Sequence, residues 1–254
     1  MTTAAAAAPW RGPLESNLTA HSATSFTLST ATLDPKTRLP VPRSRTCEFR
    51  GFFPTPPLHP SALQALRAQN VPLNPALYES DLLSFTTDAR MEKTAQLRES
   101  GGAVEAVFWV QGAMVQWRVR GRAFAIGGGE ESAAREKIMT RMRRVEETTG
   151  EEKDWDWERL VTAYFANMSP VMRGTFTAPS PGQPRSQVPA DPNYKMGQPL
   201  EDLHDPVARA NFRVVVILPD EVERLDLSDN TNVTRRQWTL GSENGEWVEQ
   251  ELWP

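Results

Sequence analysis

The sequence predicts a mainly β (α+β) fold, a small antiparallel β-barrel with peripheral helices. Several runs alternate apolar and polar residues with the period of a strand, and helical patterns fall between these runs without a regular strand–helix–strand rhythm. A doubly wound parallel sheet is therefore not expected. The chain, at 254 residues, is long enough to bury a substantial core. Its hydrophobic fraction of 39% falls short of the roughly 45–50% usual for globular domains. With 21 prolines and 15 glycines, that shortfall predicts sizeable loops.

Residues 1–8 are small and featureless and are expected to be disordered. Pro9, then Trp10, Leu14 and Leu18 at helical spacing, predict a short amphipathic helix. SFTLSTATLDP alternates Phe26 and Leu28 with polar residues and ends at an Asp-Pro turn, which reads as a strand. A second β segment from about Ser44 to Phe53, bounded by prolines, would complete a hairpin. SALQALRAQN is a short Ser-capped helix inside a proline-rich stretch running from Pro54 to about Glu79.

DLLSFTTDA is a strand and MEKTAQLRES a helix with Ala95 and Leu97 near its buried side. AVEAVFWV and MVQWRVRGRAFAI, joined by QGA, form the clearest hairpin in the chain. A charged block from Glu130 to Trp157 carries helical segments and the acidic linker ETTGEEKD. WERLVTAYFANM continues as an amphipathic helix facing inward with Leu160, Val161, Tyr164 and Phe165. Ser169–Pro206 lacks periodicity and reads as a long loop, of a length that suggests function or disorder. FRVVVILPDEVERLDLS predicts a buried strand, a turn and another strand, and RRQWTL with EWVEQELWP a closing hairpin.

Composition excludes several functions. Lys and Arg number 28 against 32 Asp and Glu, a net charge of -4, so nothing draws the chain generally to nucleic acid or an anionic membrane. The cluster KIMTRMRR is offset at once by VEETTGEE. A single cysteine, Cys47, excludes an intramolecular disulfide, and three histidines give no zinc spacing. With no long apolar run and no signal-peptide pattern at its start, the chain is expected to be soluble and cytoplasmic, with no metal.

Three groups of residues could carry chemistry. Arg45 and Arg50 lie on one β segment, but five residues apart on a regular strand they face opposite ways. A shared ligand would need a bulge, a strong twist or the freedom of Gly51; otherwise they are two surface arginines. Thr86, Thr87, Arg90 and Lys93 bring hydroxyls and cations to a strand-to-helix corner, where an anion is favoured; the plainer reading is a capped helix with surface charges. Gln116 shares a strand face with Arg118 and Arg120, opposite Trp117 and Val119. Its amide suits a heterocycle edge, or it belongs to a polar outer face. AIGGGEE lacks the spacing of a phosphate loop, and Cys47 reads as a small core residue.

The segments APWRGPLESNL, RTCEFRGF, FTTDARMEKTAQL, QWRVRGRA and RRQW...EW...LWP, in that order, carry a resemblance. The sequence resembles the pyridoxamine 5'-phosphate oxidase-like FMN-binding split-barrel family, in the subfamily with an APWR opening and an RTxxFRGF strand. The resemblance implies a six-stranded antiparallel split barrel with FMN at the interface of a homodimer. It implies one such domain over 9–254, with insertions at about 54–79, 130–157 and 180–206. By the same resemblance Arg45 and Arg50 occupy the phosphate-binding strand, with Thr87 near the family's hydroxyl position. Lys93, helped by Arg90, would hold the phosphate, Gln116 the flavin ring, and Arg235 or Arg236 would reach across from the other subunit.

The chain also departs from the family pattern. Where the oxidases carry an Arg-x-His element for substrate this chain reads NTNVTRR, and a Tyr–Arg helix pair survives only as Tyr164 with Met168. The flavin-side tryptophan is replaced by Leu225 or Leu227. The expectation is a flavin-dependent oxidoreductase of altered, unassigned small-molecule substrate. Its alternative is a non-catalytic, flavin-binding or sensing dimer.

Overall fold

The computed structural model describes residues 7–129, 131–145, 151–187, 195–242 and 245–254. In chain order come α1 (Arg11–Ala20), β1 (Ser25–Leu33), β2 (Pro40–Phe52), α2 (Pro60–Ala68), β3 (Tyr78–Glu79), β4 (Leu83–Asp88), α3 (Glu92–Glu99), β5 (Ala103–Val110) and β6 (Val115–Ile126). Then follow α4 (Ser132–Met139), β7 (Arg143–Arg144), α5 (Trp157–Ala166), α6 (Pro170–Gly174), α7 (Pro206–Asn211), β8 (Phe212–Asp226), β9 (Thr234–Leu240) and β10 (Trp247–Leu252).

The main sheet runs β10-β9-β8-β4-β2-β1-β5-β6, and β6 pairs again with β8. Six strands therefore close on themselves, all antiparallel, with β9 and β10 continuing outward from β8. This is the mainly β split barrel that the sequence predicts. Strand alternation drives it: β5 and the first half of β6 bury every second residue, Val104, Ala106, Phe108 and Val110 facing Val115, Trp117 and Val119 inside the ring. Phe26, Leu28, Phe85 and Val215 complete that interior, which α1 covers with Trp10, Leu14 and Leu18. A second core lies outside the ring, where α5 buries Val161, Tyr164 and Phe165 against Phe53, Phe212, Val214 and Val216.

Three expectations change. The N-terminus is fixed as far back as Ala8, which is buried and donates its amide to Asp81 Oδ2 at 3.0 Å; residues 1–6 lie outside the described residues. The stretch from Phe212 to Asp226 is one strand of 15 residues, not two. Pro219 sits at an irregularity where the pairing slips between Arg120 and Gly121, so the ladder absorbs it without turning. The loop from Ser169 begins with α6, whose first turn is capped by the Ser169 hydroxyl; the central part of the predicted loop, 188–194, lies outside the described residues, as does the first half of ETTGEEKD.

The proline-rich 54–79 stretch and the charged block after β6 also meet: β3 pairs with β7 as a two-stranded ribbon, and Val145 donates to the Leu77 carbonyl at 2.9 Å. Arg143 from the second stretch reaches Asp81 at 2.5 Å. Among the described residues no helix is long and apolar enough to cross a membrane.

Candidate functional site

Residues of the predicted phosphate group converge where β2, β4 and α3 meet at one end of the ring. Cys47 pairs with Phe26 and Arg45 with Leu28, both core residues, so Arg45 and Cys47 share the inward face of β2. Arg45 donates to the Thr30 hydroxyl at 2.7 Å and to Gln96 Oε1 at 2.6 Å. Lys93, in the first turn of α3, donates to Thr87 Oγ1 at 3.0 Å and to Met91 Sδ at 2.8 Å. Among the described residues neither Arg45 nor Lys93 has a carboxylate within ion-pair distance.

Burial pushes the Lys93 ammonium below the ordinary lysine value, and the charge of Arg45 pushes it the same way. Burial raises the Cys47 thiol, while Lys93 and Arg45 pull it back. Cys47 is thus a half-buried group at the core margin facing two cations, rather than a fully enclosed core residue. Two cations held near each other without a counter-ion form a site for an anion, since fixed positive charge in a partly desolvated place costs free energy until it is paired.

The remaining predicted residues divide. Thr86 adjoins Thr87 on β4 and so faces the other side of the strand. Arg90 is committed to Asp88, at 2.6 and 2.9 Å, and to the Ala178 carbonyl at 2.7 Å. It fastens the chain after α6 rather than standing beside Lys93. Arg50 leaves Arg45 altogether: β2 loses register between Phe49 and Phe52, Gly51 takes φ +103°, and Arg50 lines a cavity of about 610 Å³ beneath α1. There its buried Nε has no partner, and Arg11 stacks over the Phe52 ring at 4.3 Å.

Gln116 stands on the outer face of the ring, opposite Trp109 on β5 and Leu225 on β8. Arg235 pairs with Leu225 in turn, so Gln116, Leu225 and Arg235 form one row across three strands, with about 10 Å between the outer two backbones. Gln116 makes no side-chain hydrogen bond among the described residues. Arg235 donates to Glu223 Oε2 at 2.8 Å, and its Nε is unpartnered and buried. Arg236 faces the other way and binds Glu249 at 3.2 Å. The row and the Arg45–Lys93 pair lie on opposite faces of the sheet.

Gln96 was not predicted. It is 5% exposed and accepts from both Thr30 and Arg45, so it orients the guanidinium. Its signal in the sequence is its position three residues after Lys93, which places both on one helix face.

Comparisons with known proteins follow this geometry. A family model described as pyridoxamine 5'-phosphate oxidase, FMN-binding domain, matches residues 7–127. No curated protein sequence matches the chain. A pyridoxamine 5'-phosphate oxidase-related, FMN binding protein from Nostoc punctiforme is similar in structure, with a TM-score of 0.61 at 21% identity over 98% of this chain and 100% of that one. PhzG from Burkholderia lata, solved in complex with tetrahydrophenazine-1-carboxylic acid, gives a TM-score of 0.53 at 15% identity over 98% of this chain and 94% of its own. At these identities the two structures establish the shared fold.

Proposed function

We propose that the chain, whose residues 7–127 match the model of the FMN-binding domain of pyridoxamine 5'-phosphate oxidase, is an FMN-dependent oxidoreductase whose substrate site differs from that of the vitamin B6 oxidases. The observation that carries this reading is the pair Arg45 and Lys93, half-buried, oriented by Gln96 and Thr87, and lacking a carboxylate. These residues fit a phosphate: a guanidinium can clamp two oxygens, and the ammonium adds a point charge. FMN would supply the electron-accepting ring, and the protein supplies its binding and surroundings.

Gln116 offers a donor and an acceptor to the edge of such a ring. Since its row is on the face opposite the phosphate pair, the two halves meet only if a second copy brings its outer face to the first, which supports the homodimer. Arg235, not Arg236, shares the Gln116 face and is the arginine for that role. Leu225, between them in the row, is one of the two leucines, with Leu227, that the resemblance sets in place of the flavin-side tryptophan.

The altered substrate site rests on two placements. The Tyr164 hydroxyl is fully buried and donates to Ser84 Oγ at 2.9 Å, and burial raises its pKa, so it stays a neutral core group. The stretch Thr231–Val233 presents no cation or imidazole, and Thr231 is occupied with Asp229. The same placements favour a second reading, a flavin-binding dimer without turnover.

An absorbance spectrum of the purified protein, with identification of the released chromophore, tests the first point. Flavin bands and released FMN are expected, and Arg45→Ala with Lys93→Ala should weaken FMN binding by 10-fold to 100-fold or more, as about 1.5–3 kcal/mol per charged hydrogen bond implies. A protein that stays colourless after FMN is added would sink the reading. Flavin that is reduced by NAD(P)H or a candidate substrate and then reoxidised decides for the oxidoreductase over the non-catalytic dimer.

A further inference from the structure

A cavity of about 630 Å³ lies between α3, the end of β6 and α4, and none of the flavin residues above lines it. Its volume is that of a small-molecule site. Leu97, Ala123 and Ala125 give it an apolar floor, the first two of them almost wholly buried. Three cations stand around it: Arg98 at the end of α3, Lys137 on α4 and Arg213 on β8.

These cations are poorly neutralised. Arg98 and Lys137 have no ion pair among the described residues, Lys137 resting 5.1 Å from the Phe124 ring centre. Arg213 donates to the carbonyls of Ala210 and Phe212 at 2.8 Å and comes only within 3.9 Å of Glu131. Glu131 is the one carboxylate in the described lining, and it already accepts the amides of Gly127 and Gly128 at 2.6 and 2.5 Å. Three cations against one carboxylate leave two positive charges, the charge that a phosphate monoester balances. Gly128 also lies against the Arg213 guanidinium so closely that a Cβ would displace it, keeping that group at the cavity wall.

We propose that this cavity is a second, separate binding site for a small phosphate monoester with an apolar body, the phosphate held by Arg98, Lys137 and Arg213 and the body lying on the alanine floor. Guanidinium forks suit phosphate oxygens, and the half-enclosed floor rewards an apolar group that inorganic phosphate lacks.

Calorimetric titration of the full chain with phenyl phosphate, in the presence of saturating FMN, tests it. Binding is expected, tighter than that of inorganic phosphate. Arg98→Ala with Lys137→Ala should weaken it about tenfold or more, and Ala133→Glu, which places a carboxylate in the lining, should do the same with the fold intact. FMN content of these variants should equal that of the wild type. Phenyl phosphate affinity unchanged in both variants, no binding at all, or no preference over inorganic phosphate would overturn the site. So would a loss seen in the Arg45→Ala, Lys93→Ala protein but not in these, which would mean the probe had entered the flavin phosphate group. The titration repeated without FMN keeps this result independent of whether flavin binds.

Discussion

Lys93 shows how a single residue sets a pH dependence. Burial favours the neutral amine, so its folded pKa lies below that of an unfolded lysine. Between the two values the unfolded chain holds more protons, and the stability of the flavin-free protein rises with pH. FMN affinity runs the other way: it needs the charged ammonium, is fully present at lower pH and is lost as pH rises through the folded pKa. Flavin fluorescence titrations between about pH 7 and 10 should show affinity falling, and Lys93→Arg, which does not titrate in that range, should flatten the curve. A wild-type curve already flat would remove Lys93 from the phosphate site.

At this scale the sequence carried part of the answer. Thr87 and Lys93 are close in the chain, so that they share one strand-to-helix corner was legible. Arg45 and Arg50 were legible as facing apart, by strand alternation alone. That Arg45 turns toward Lys93 and Arg50 toward α1 is decided by the slip after Phe49, which leaves no local trace except Gly51. Gln96 and the unneutralised set around Arg98 depend on contacts between distant segments.

Among the elements, β8 is the spine, pairing with β4, β6 and β9. Its continuity across Pro219 depends on Gly121, where a Cβ would collide with the Leu218 carbonyl. Gly121→Ala should therefore cost about 1–3 kcal/mol and lower the Tm by several degrees in a scanning calorimeter, about 2–4 °C per kcal/mol for a chain near this size. An unchanged Tm would mean the ladder can shift there. The hairpin of β5 and β6 was plain in the sequence because each strand alternates cleanly. The unbroken β8 was not, because proline in a strand pattern reads as a stop. Likewise the buried Arg173, which donates to the carbonyls of Leu200, Ala166 and Met168, organises a stretch that looks structureless from composition.

On the scale of the whole molecule, the outer face of the sheet sets a few exposed apolar side chains among the ion pairs of Arg118 with Glu105 and Glu223 and of Arg235 with Glu223. Trp109 is 45% exposed and Val248 64%, and Val107 and Leu225 lie on the same face. If that face meets a second copy and completes the flavin site, Leu225→Arg should yield a monomer by sedimentation and lose FMN together. A monomer that keeps its flavin would place both halves of the site in one chain. The closed ring was legible as a barrel from strand count and the missing crossover helices, whereas the outer core under α5 was visible only as one amphipathic helix without a stated surface to cover.

The ribbon of β3 and β7 joins two stretches that lie more than sixty residues apart, with Arg143 and Asp81 beside it. Each strand is two residues long and among the described residues pairs only with the other, so a lineage that deleted one stretch would leave the other with a bare edge. Selection therefore acts on the pair. Relatives should carry both stretches or neither, and their lengths should change in concert during descent.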